Sequence, residues 1–328
     1  MKKVYGLNYI RGVCALLVML YHYTTRYYDI VYNMSAEKNH IGLWWGCWAV
    51  SAFFILSAFL TVNNIEDNTS LSGFLKKRAV RLYPTYWVAI ILTVLVTQLA
   101  DSKLKVGFPI AIANFTMLQG FVGIPNVDGA YWTLRYELWF YILIAITLLS
   151  SKRKYNVLST AWLCLILFSK FLFERLGLDN TITGISEMAL LSEWAHIFII
   201  GISLSQILKN KKDILSYFNL LLSFIIEYST GSGGRFLFVL VITLLCFISA
   251  VTHYRFKYDR SLNFLAGVSY PLYLIHQNIG YVIIGGFEKM GLRAGTGVVT
   301  AVAVSVLLAY LVHRFVEIPA MALVKNKK

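Results

Sequence analysis

Two polar groups, Arg11 and His22, stand in the apolar run that opens the stretch Tyr9 to Tyr28, before that stretch turns polar after Tyr23. They are eleven residues apart. At about 100° per residue that is close to three full helical turns, so both project from one face. At about 1.5 Å per residue they lie roughly 16 Å apart along the axis, about half the thickness of a bilayer core. A cation and an imidazole on one stripe of a membrane helix are expensive unless they face a polar interior. This helix is therefore expected to line something wet or reactive.

Five further places stand out. Arg78 and Arg81 are three residues apart, sharing a helical face just before Pro84 and Tyr86. Two guanidiniums on one face suit a phosphate, which they can grip bidentately; their plainer reading is a cationic anchor for the membrane surface. Pro84 is expected to shape the start of the following span. Glu137, in Trp132-Thr133-Leu134-Arg135-Tyr136-Glu137, is a carboxylate well inside an apolar run, and such a group marks a functional site by default. Trp132 suits an interface, where aromatic residues gather. His276 and Gln277 fall near the middle of another apolar run, downstream of Pro271. A lone buried histidine is more often structural than catalytic. The run Phe53-Phe54-Ile55-Leu56-Ser57-Ala58-Phe59-Leu60 reads as close helix packing. Arg314 and Glu317, at i and i+3, are expected to form a structural ion pair.

The elements that must position these groups are membrane helices. Of 328 residues, 58% are hydrophobic and only 14% charged, and mean hydropathy is +0.64. Soluble domains run nearer 45–50% apolar and about 25% charged, so the composition defines an all-α polytopic membrane protein. Ten spans are expected at 7–28, 41–62, 80–100, 132–150, 156–174, 187–208, 214–228, 235–253, 262–286 and 295–317. The apolar piece 106–122 is expected as a helix lying on or dipping into the outer side. The first segment contains Arg and His and no small-residue cleavage pattern follows it, so it does not read as a signal peptide. The chain reads as one transmembrane domain, 1–328, with no appended soluble domain.

Charge placement orients the bundle. Of 30 Lys and Arg, 18 fall on one side of these spans, eight on the other, and four (Arg11, Arg135, Lys170, Arg314) within them. Positive charge marks the cytoplasmic side, which puts both termini inside. The net charge of +14 thus serves anionic lipid rather than nucleic acid. Cys14, Cys47, Cys164 and Cys246 have no paired spacing and no histidine partners at metal-like distance, so they read as packing residues, and no metal is expected.

The order of these pieces resembles the acyltransferase 3 family of integral-membrane acyltransferases over nearly the whole chain. The resemblance rests on Arg11 followed by ten residues and His22; on 53–60, where the family usually has Gly in place of Ala58; and on Arg78-x-x-Arg81 with Pro84 and Tyr86. It also rests on Trp132-Thr133-Leu134-x-x-Glu137-x-x-Phe140-Tyr141, on Ser269-Tyr270-x-Leu272-Tyr273-Leu274-x-His276, and on Phe315-x-Glu317-x-Pro319. Ala49, Ser51 and Arg135 depart from the usual residues and bear on subfamily and acceptor.

The resemblance implies transfer of an acyl group, most often acetyl from acetyl-CoA, to a hydroxyl of a sugar or surface-glycan precursor. Acyl-CoA would be a donor substrate, with no permanently bound cofactor, in a multi-pass protein of the plasma or inner membrane. Arg78, Arg81 and Tyr86 would hold the donor, and Arg11 its pyrophosphate end or thioester. His22 would be the general base and Glu137 its orienting carboxylate, with Trp132 and His276 as further candidates. The competing reading is a transporter using the same buried Arg, His and Glu. The acyl group, the acceptor, the oxyanion-stabilising group and the oligomeric state are left open.

Overall fold

The computed structural model describes residues 5–66, 68–100, 103–149, 154–177, 184, 187, 189–252 and 258–325. Among them every regular element is helical. The order is α1 (Tyr5–Tyr21), a π-helical turn (His22–Arg26), α2 (Tyr27–Tyr32), a 3-10 segment (Trp44–Trp48) and α3 (Ala49–Asn63). Next come α4 (Leu71–Leu99), α5 (Phe108–Asn114), α6 (Trp132–Thr147), α7 (Tyr155–Leu176), α8 (Ala195–Lys209) and α9 (Ile214–Thr230). The chain continues through α10 (Gly233–Val251), α11 (Arg260–Lys289), α12 (Ala294–Val312), a second π-helical turn (His313–Glu317) and α13 (Ile318–Lys325).

Among the described residues, five helical stretches are long and apolar enough to cross a membrane: Trp44–Asn63, Leu71–Leu99, Tyr155–Leu176, Gly233–Val251 and Ala294–Val324. The helices Ala195–Lys209 and Ile214–Thr230 are apolar but shorter. This is a multi-pass membrane protein. Several boundaries differ from expectation. The third span begins at Leu71 rather than residue 80, and Pro84 sits inside the helix instead of at its start. A membrane helix tolerates such a proline because neighbouring groups satisfy the freed backbone. The apolar piece 106–122 forms only the short α5 and a 3-10 turn at Gln119–Phe121. Of the basic residues used for orientation, Lys2, Lys3, Lys152, Arg153, Arg255, Lys257, Lys327 and Lys328 lie outside the described residues.

The chain divides into two compact units. One takes its described residues from 1–7, 50–71 and 136–256, the other from 8–49, 72–135 and 257–328. In the first unit α3 packs on α8. A Cβ on Gly201 would fall 2.8 Å from the Ala58 methyl, so the methyl that Ala58 carries is accommodated by a glycine opposite.

In the second unit α1 and α11 run side by side in the same direction. The Tyr9 hydroxyl receives the Asp259 backbone N–H at 2.8 Å near one end, and the Tyr27 hydroxyl donates to Glu288 at 2.6 Å near the other. Between them, a Cβ on Gly12 would sit 2.8 Å from the Ala266 nitrogen, and one on Gly280 would overlap the hydroxyl-bearing edge of the Tyr23 ring, closest to Cε1. Small residues at the crossing let the two backbones approach, as membrane helices without a hydrophobic drive between them require.

Candidate active site

The α1–α11 contact brings two histidines together. His22 Nδ1 lies 3.1 Å from His276 Nε2, the ring centroids are 4.8 Å apart, and the ring planes cross at 70°. Residues 254 apart in sequence meet because the helices are parallel and in register. His22 opens the first π-helical turn, and its Nδ1 is also 2.8 Å from the Val18 carbonyl oxygen one turn earlier. Such turns widen the helix locally and recur at functional sites. His276 is 1% exposed, whereas His22 is only partly buried.

The neighbourhood is pinned by Tyr23. Its hydroxyl donates to the His276 carbonyl at 2.7 Å and lies 2.7 Å from Ser305 Oγ. A phenol has one hydrogen to give, so the Ser305 hydroxyl is the donor in the second bond. Arg11 lies on unbroken α1, about 16 Å below His22 at the helical rise.

Next to His276, the segment before α6 is latched to α11. Asp128, 0% exposed, accepts the Asn278 backbone N–H at 2.9 Å on one oxygen and the Ala130 N–H at 2.9 Å on the other. The Asn278 amide donates to the Val127 carbonyl at 2.9 Å. Gly129 faces the Gln277 side-chain amide so closely that a Cβ there would overlap it. The Tyr273 hydroxyl donates to the Ala130 carbonyl at 3.0 Å and meets Thr133 Oγ1 at 2.8 Å. The Trp132-Thr133-Leu134 piece and the Tyr273–His276 piece are thus adjoining in space, and Trp132 is partly buried at the start of α6. Burial pushes the Asp128 carboxyl up to about 7, against the two N–H donors that favour its ionised form.

Glu137 belongs to the first unit. It accepts the Tyr141 hydroxyl at 2.5 Å and the Ser57 hydroxyl at 3.0 Å, and those two hydroxyls are 3.1 Å apart. Ser57 therefore has a polar partner that the packing reading of 53–60 did not anticipate.

Arg78 and Arg81 lie one turn apart on α4, as their spacing requires. The Arg78 guanidinium rests over the Phe74 ring at 5.2 Å. Arg81 approaches Glu317 at 3.6 Å, beyond good hydrogen-bond length, which engages one of its five donors by charge alone. Glu317 receives a closer contact from His313 Nδ1, at 2.7 Å. The expected Arg314–Glu317 pair is replaced by these two, because residues 313–317 form a π-helical turn and α-helical i, i+3 spacing does not apply there; Arg314 is exposed. Tyr86 is fully buried, its hydroxyl accepts the Gln119 amide at 3.1 Å, and its ring meets Tyr131 edge to face.

Two polar features escaped sequence reasoning. Asp128 carried a usable signal, an Asp-Gly pair just ahead of a helix start, where a carboxylate caps backbone N–H groups. The second is a buried cluster in the first unit. Glu227, 0% exposed, binds the Arg235 guanidinium through two contacts of 2.7 Å and meets His196 Nε2 at 2.8 Å. A carboxylate in an apolar run, the argument applied to Glu137, applied equally to Glu227. Among the described residues no group of three His, Cys, Asp or Glu is placed to hold a metal ion. An apolar groove of about 450 Å³ between α8, α9 and α10 is bordered by one charged side chain, Lys211.

Comparison with known proteins fixes the class. The acyltransferase 3 family, described as an acyltransferase domain, matches residues 4–314, and the chain belongs to that family. It is similar to "Acyltransferase MdmB" of Streptomyces mycarofaciens, 25% identical over 144 residues, covering 42% of this chain and 37% of that protein. It is also similar to "Nodulation protein 10" of Rhizobium leguminosarum bv. viciae, 25% identical over 118 residues, covering 30% of this chain and 32% of that protein. The chain thus spans about a third of the length of each of these two relatives. No solved structure matches it.

Proposed function

We propose that the protein is a membrane acyltransferase that moves an acyl group, acetyl foremost, from acyl-CoA to a hydroxyl of a sugar or surface-glycan precursor. His22 is its general base. The observation that carries this reading is the His22–His276 contact. It sets a partly accessible imidazole on the stripe of Arg11, in a family of acyltransferases. Neutral imidazole is the usual base for a hydroxyl near neutral pH.

With both termini cytoplasmic, Arg78 and Arg81 lie at the inner surface, where they hold the phosphates of CoA. The single long contact from Arg81 to Glu317 leaves its fork suited to that task. The pantetheine arm passes Arg11 and presents the thioester about 16 Å further out, at the depth of His22. Donor and acceptor then approach from opposite sides of the plasma or inner membrane. Tyr86, fully buried against Gln119 and Tyr131, supports the donor site from within the fold. Trp132 borders the acceptor side; the carboxylate of Glu137 is held by Ser57 and Tyr141 within the first unit.

The chemistry needs no resident cofactor. As the acceptor oxygen bonds to the thioester carbonyl carbon, its proton passes to His22. When the C–S bond breaks, the departing thiolate takes that proton and His22 returns to neutral. Purified protein given acetyl-CoA and a glycan acceptor is expected to release free CoA in step with acetylated acceptor. Solute movement across vesicles without CoA release would instead establish a carrier.

A further inference from the structure

We propose that His276 is the positioning residue of this site: it accepts the Nδ1–H of His22, which leaves the Nε2 lone pair of His22 as the atom that takes the proton. The proposal rests on the reading of His22 as the base and names the partner and the atom that make it one.

The donors and acceptors around the two rings select one tautomer of each. His276 Nδ1 lies 3.0 Å from the Leu272 carbonyl oxygen and 2.9 Å from that of Tyr273. Both neighbours can only accept, so Nδ1 carries the hydrogen. A neutral imidazole has one N–H, so His276 Nε2 is a bare acceptor. It faces His22 Nδ1 at 3.1 Å. His22 Nδ1 also faces the Val18 carbonyl at 2.8 Å, another acceptor, so it too carries its hydrogen. The two rings, judged separately by their own carbonyls, give one compatible arrangement: His22 Nδ1–H is shared between Val18 O and His276 Nε2.

The opposite assignment fails at three contacts. It sets bare nitrogens against the Val18, Leu272 and Tyr273 carbonyls to make one N–H to N bond. Ring planes crossing at 70° suit an edge-on N–H to N contact rather than a stack. The sole free lone pair is then Nε2 of His22, on the partly exposed ring, while the fully buried ring has none to offer.

In the reaction the acceptor O–H bond breaks, its proton goes to His22 Nε2, and the new O–C bond forms to the thioester carbon. C–S cleavage then lets the thiolate recover the proton as CoA thiol. Throughout, Nδ1–H stays bound, and the transient imidazolium is stabilised by the lone pair of His276 and the Val18 carbonyl. A carboxylate fills that place in a hydrolase triad; here a neutral, buried imidazole fills it. Tyr23, adjoining His22 in sequence and hydrogen-bonded to the His276 carbonyl, fixes the register in which the rings meet.

Two measurements test this. The first is nitrogen NMR of the full chain in lipid nanodiscs with 15N-labelled histidine, the two signals assigned by comparison with His22→Ala and His276→Gln. At neutral pH both His22 and His276 are expected to carry hydrogen on Nδ1. Hydrogen on Nε2 of His22 overturns the proposal whatever the enzyme does. The second is kinetics. His276→Phe is expected to lower kcat about a hundredfold, the scale of acid–base assistance, with KM for acetyl-CoA unchanged. His276→Gln, which returns an acceptor oxygen near the lost nitrogen, is expected to recover about tenfold of that. Equal losses in both variants, or a change in KM alone, contradict a positioning role. Wild-type protein that transfers no acyl group refutes the proposed function, and the NMR result then decides the pairing alone. A His276→Phe chain that does not fold leaves the wild-type tautomer as the deciding result.

Discussion

Replacing Asp128 with Asn tests the latch that holds the loop before α6 against α11. The wild-type carboxyl is 0% exposed and satisfies two backbone N–H groups, one on each oxygen. A carboxamide has a single oxygen, so one of the Asn278 and Ala130 N–H groups loses its acceptor and faces an NH2 instead. A buried donor left unsatisfied costs about 1–3 kcal/mol. The pH dependence sharpens the test. Burial raises the folded carboxyl from the ordinary 3.8 to about 7, despite the opposing N–H donors. Between those values the folded state holds a proton that the unfolded state has released, so its stabilising contribution is full below 3.8 and is lost as pH rises through about 7. At 1.36 kcal/mol per pH unit, the wild type loses about 2–3 kcal/mol between about pH 5 and 8 from this group, and Asn loses nothing. The variant is therefore expected to be less stable than wild type at pH 5 and equal or more stable at pH 8. Equilibrium unfolding in mixed micelles at both pH values, followed by tryptophan fluorescence, measures it. A deficit that is the same at both refutes the reasoning, because the carboxyl would then be ionised and in contact with water throughout.

Three other outcomes follow from contacts already described. Gly280→Ala drives a methyl into the Tyr23 ring; overpacking of this kind costs about 1–3 kcal/mol, and a thermal unfolding midpoint equal to wild type would show that α1 and α11 do not pack this closely. Glu227→Ala leaves the Arg235 guanidinium and His196 without their shared carboxylate, at a cost of about 3–5 kcal/mol, seen as loss of folded protein after mild heating; unchanged recovery would mean that water reaches the cluster. Replacing Arg78 and Arg81 together with Ala is expected to weaken acetyl-CoA binding about tenfold or more, since charge-assisted contacts are worth about 1.5–3 kcal/mol each. Unchanged affinity by calorimetry would reduce the pair to determinants of topology.

Helical arithmetic made much of this protein legible. Arg11 and His22 read as one stripe because α1 is unbroken to Tyr21, and the apolar runs marked most helices to within a few residues. The start of α4 was missed because a polar, basic first two turns look like loop, although they continue as helix through Pro84. The Glu317 partner was missed because i, i+3 spacing assumes an α-helix, and two π-helical turns break that assumption at His22 and His313. His276 was legible as a buried histidine but not as a partner of His22. Their pairing depends on two parallel helices brought close by Gly12 and Gly280, a tertiary fact with no local signal. Asp128 and Glu227 were overlooked, although a carboxylate placed in or beside an apolar run asks for a partner wherever it falls.

The mechanism turns on His22 taking the acceptor's proton. Acetyl-CoA binding and acceptor acylation, measured side by side on one folded preparation of His22→Ala, test it most directly. Donor affinity equal to wild type with transfer abolished is the expected result. Transfer near the wild-type rate, or a joint fall in binding, transfer and folded yield, would contradict it.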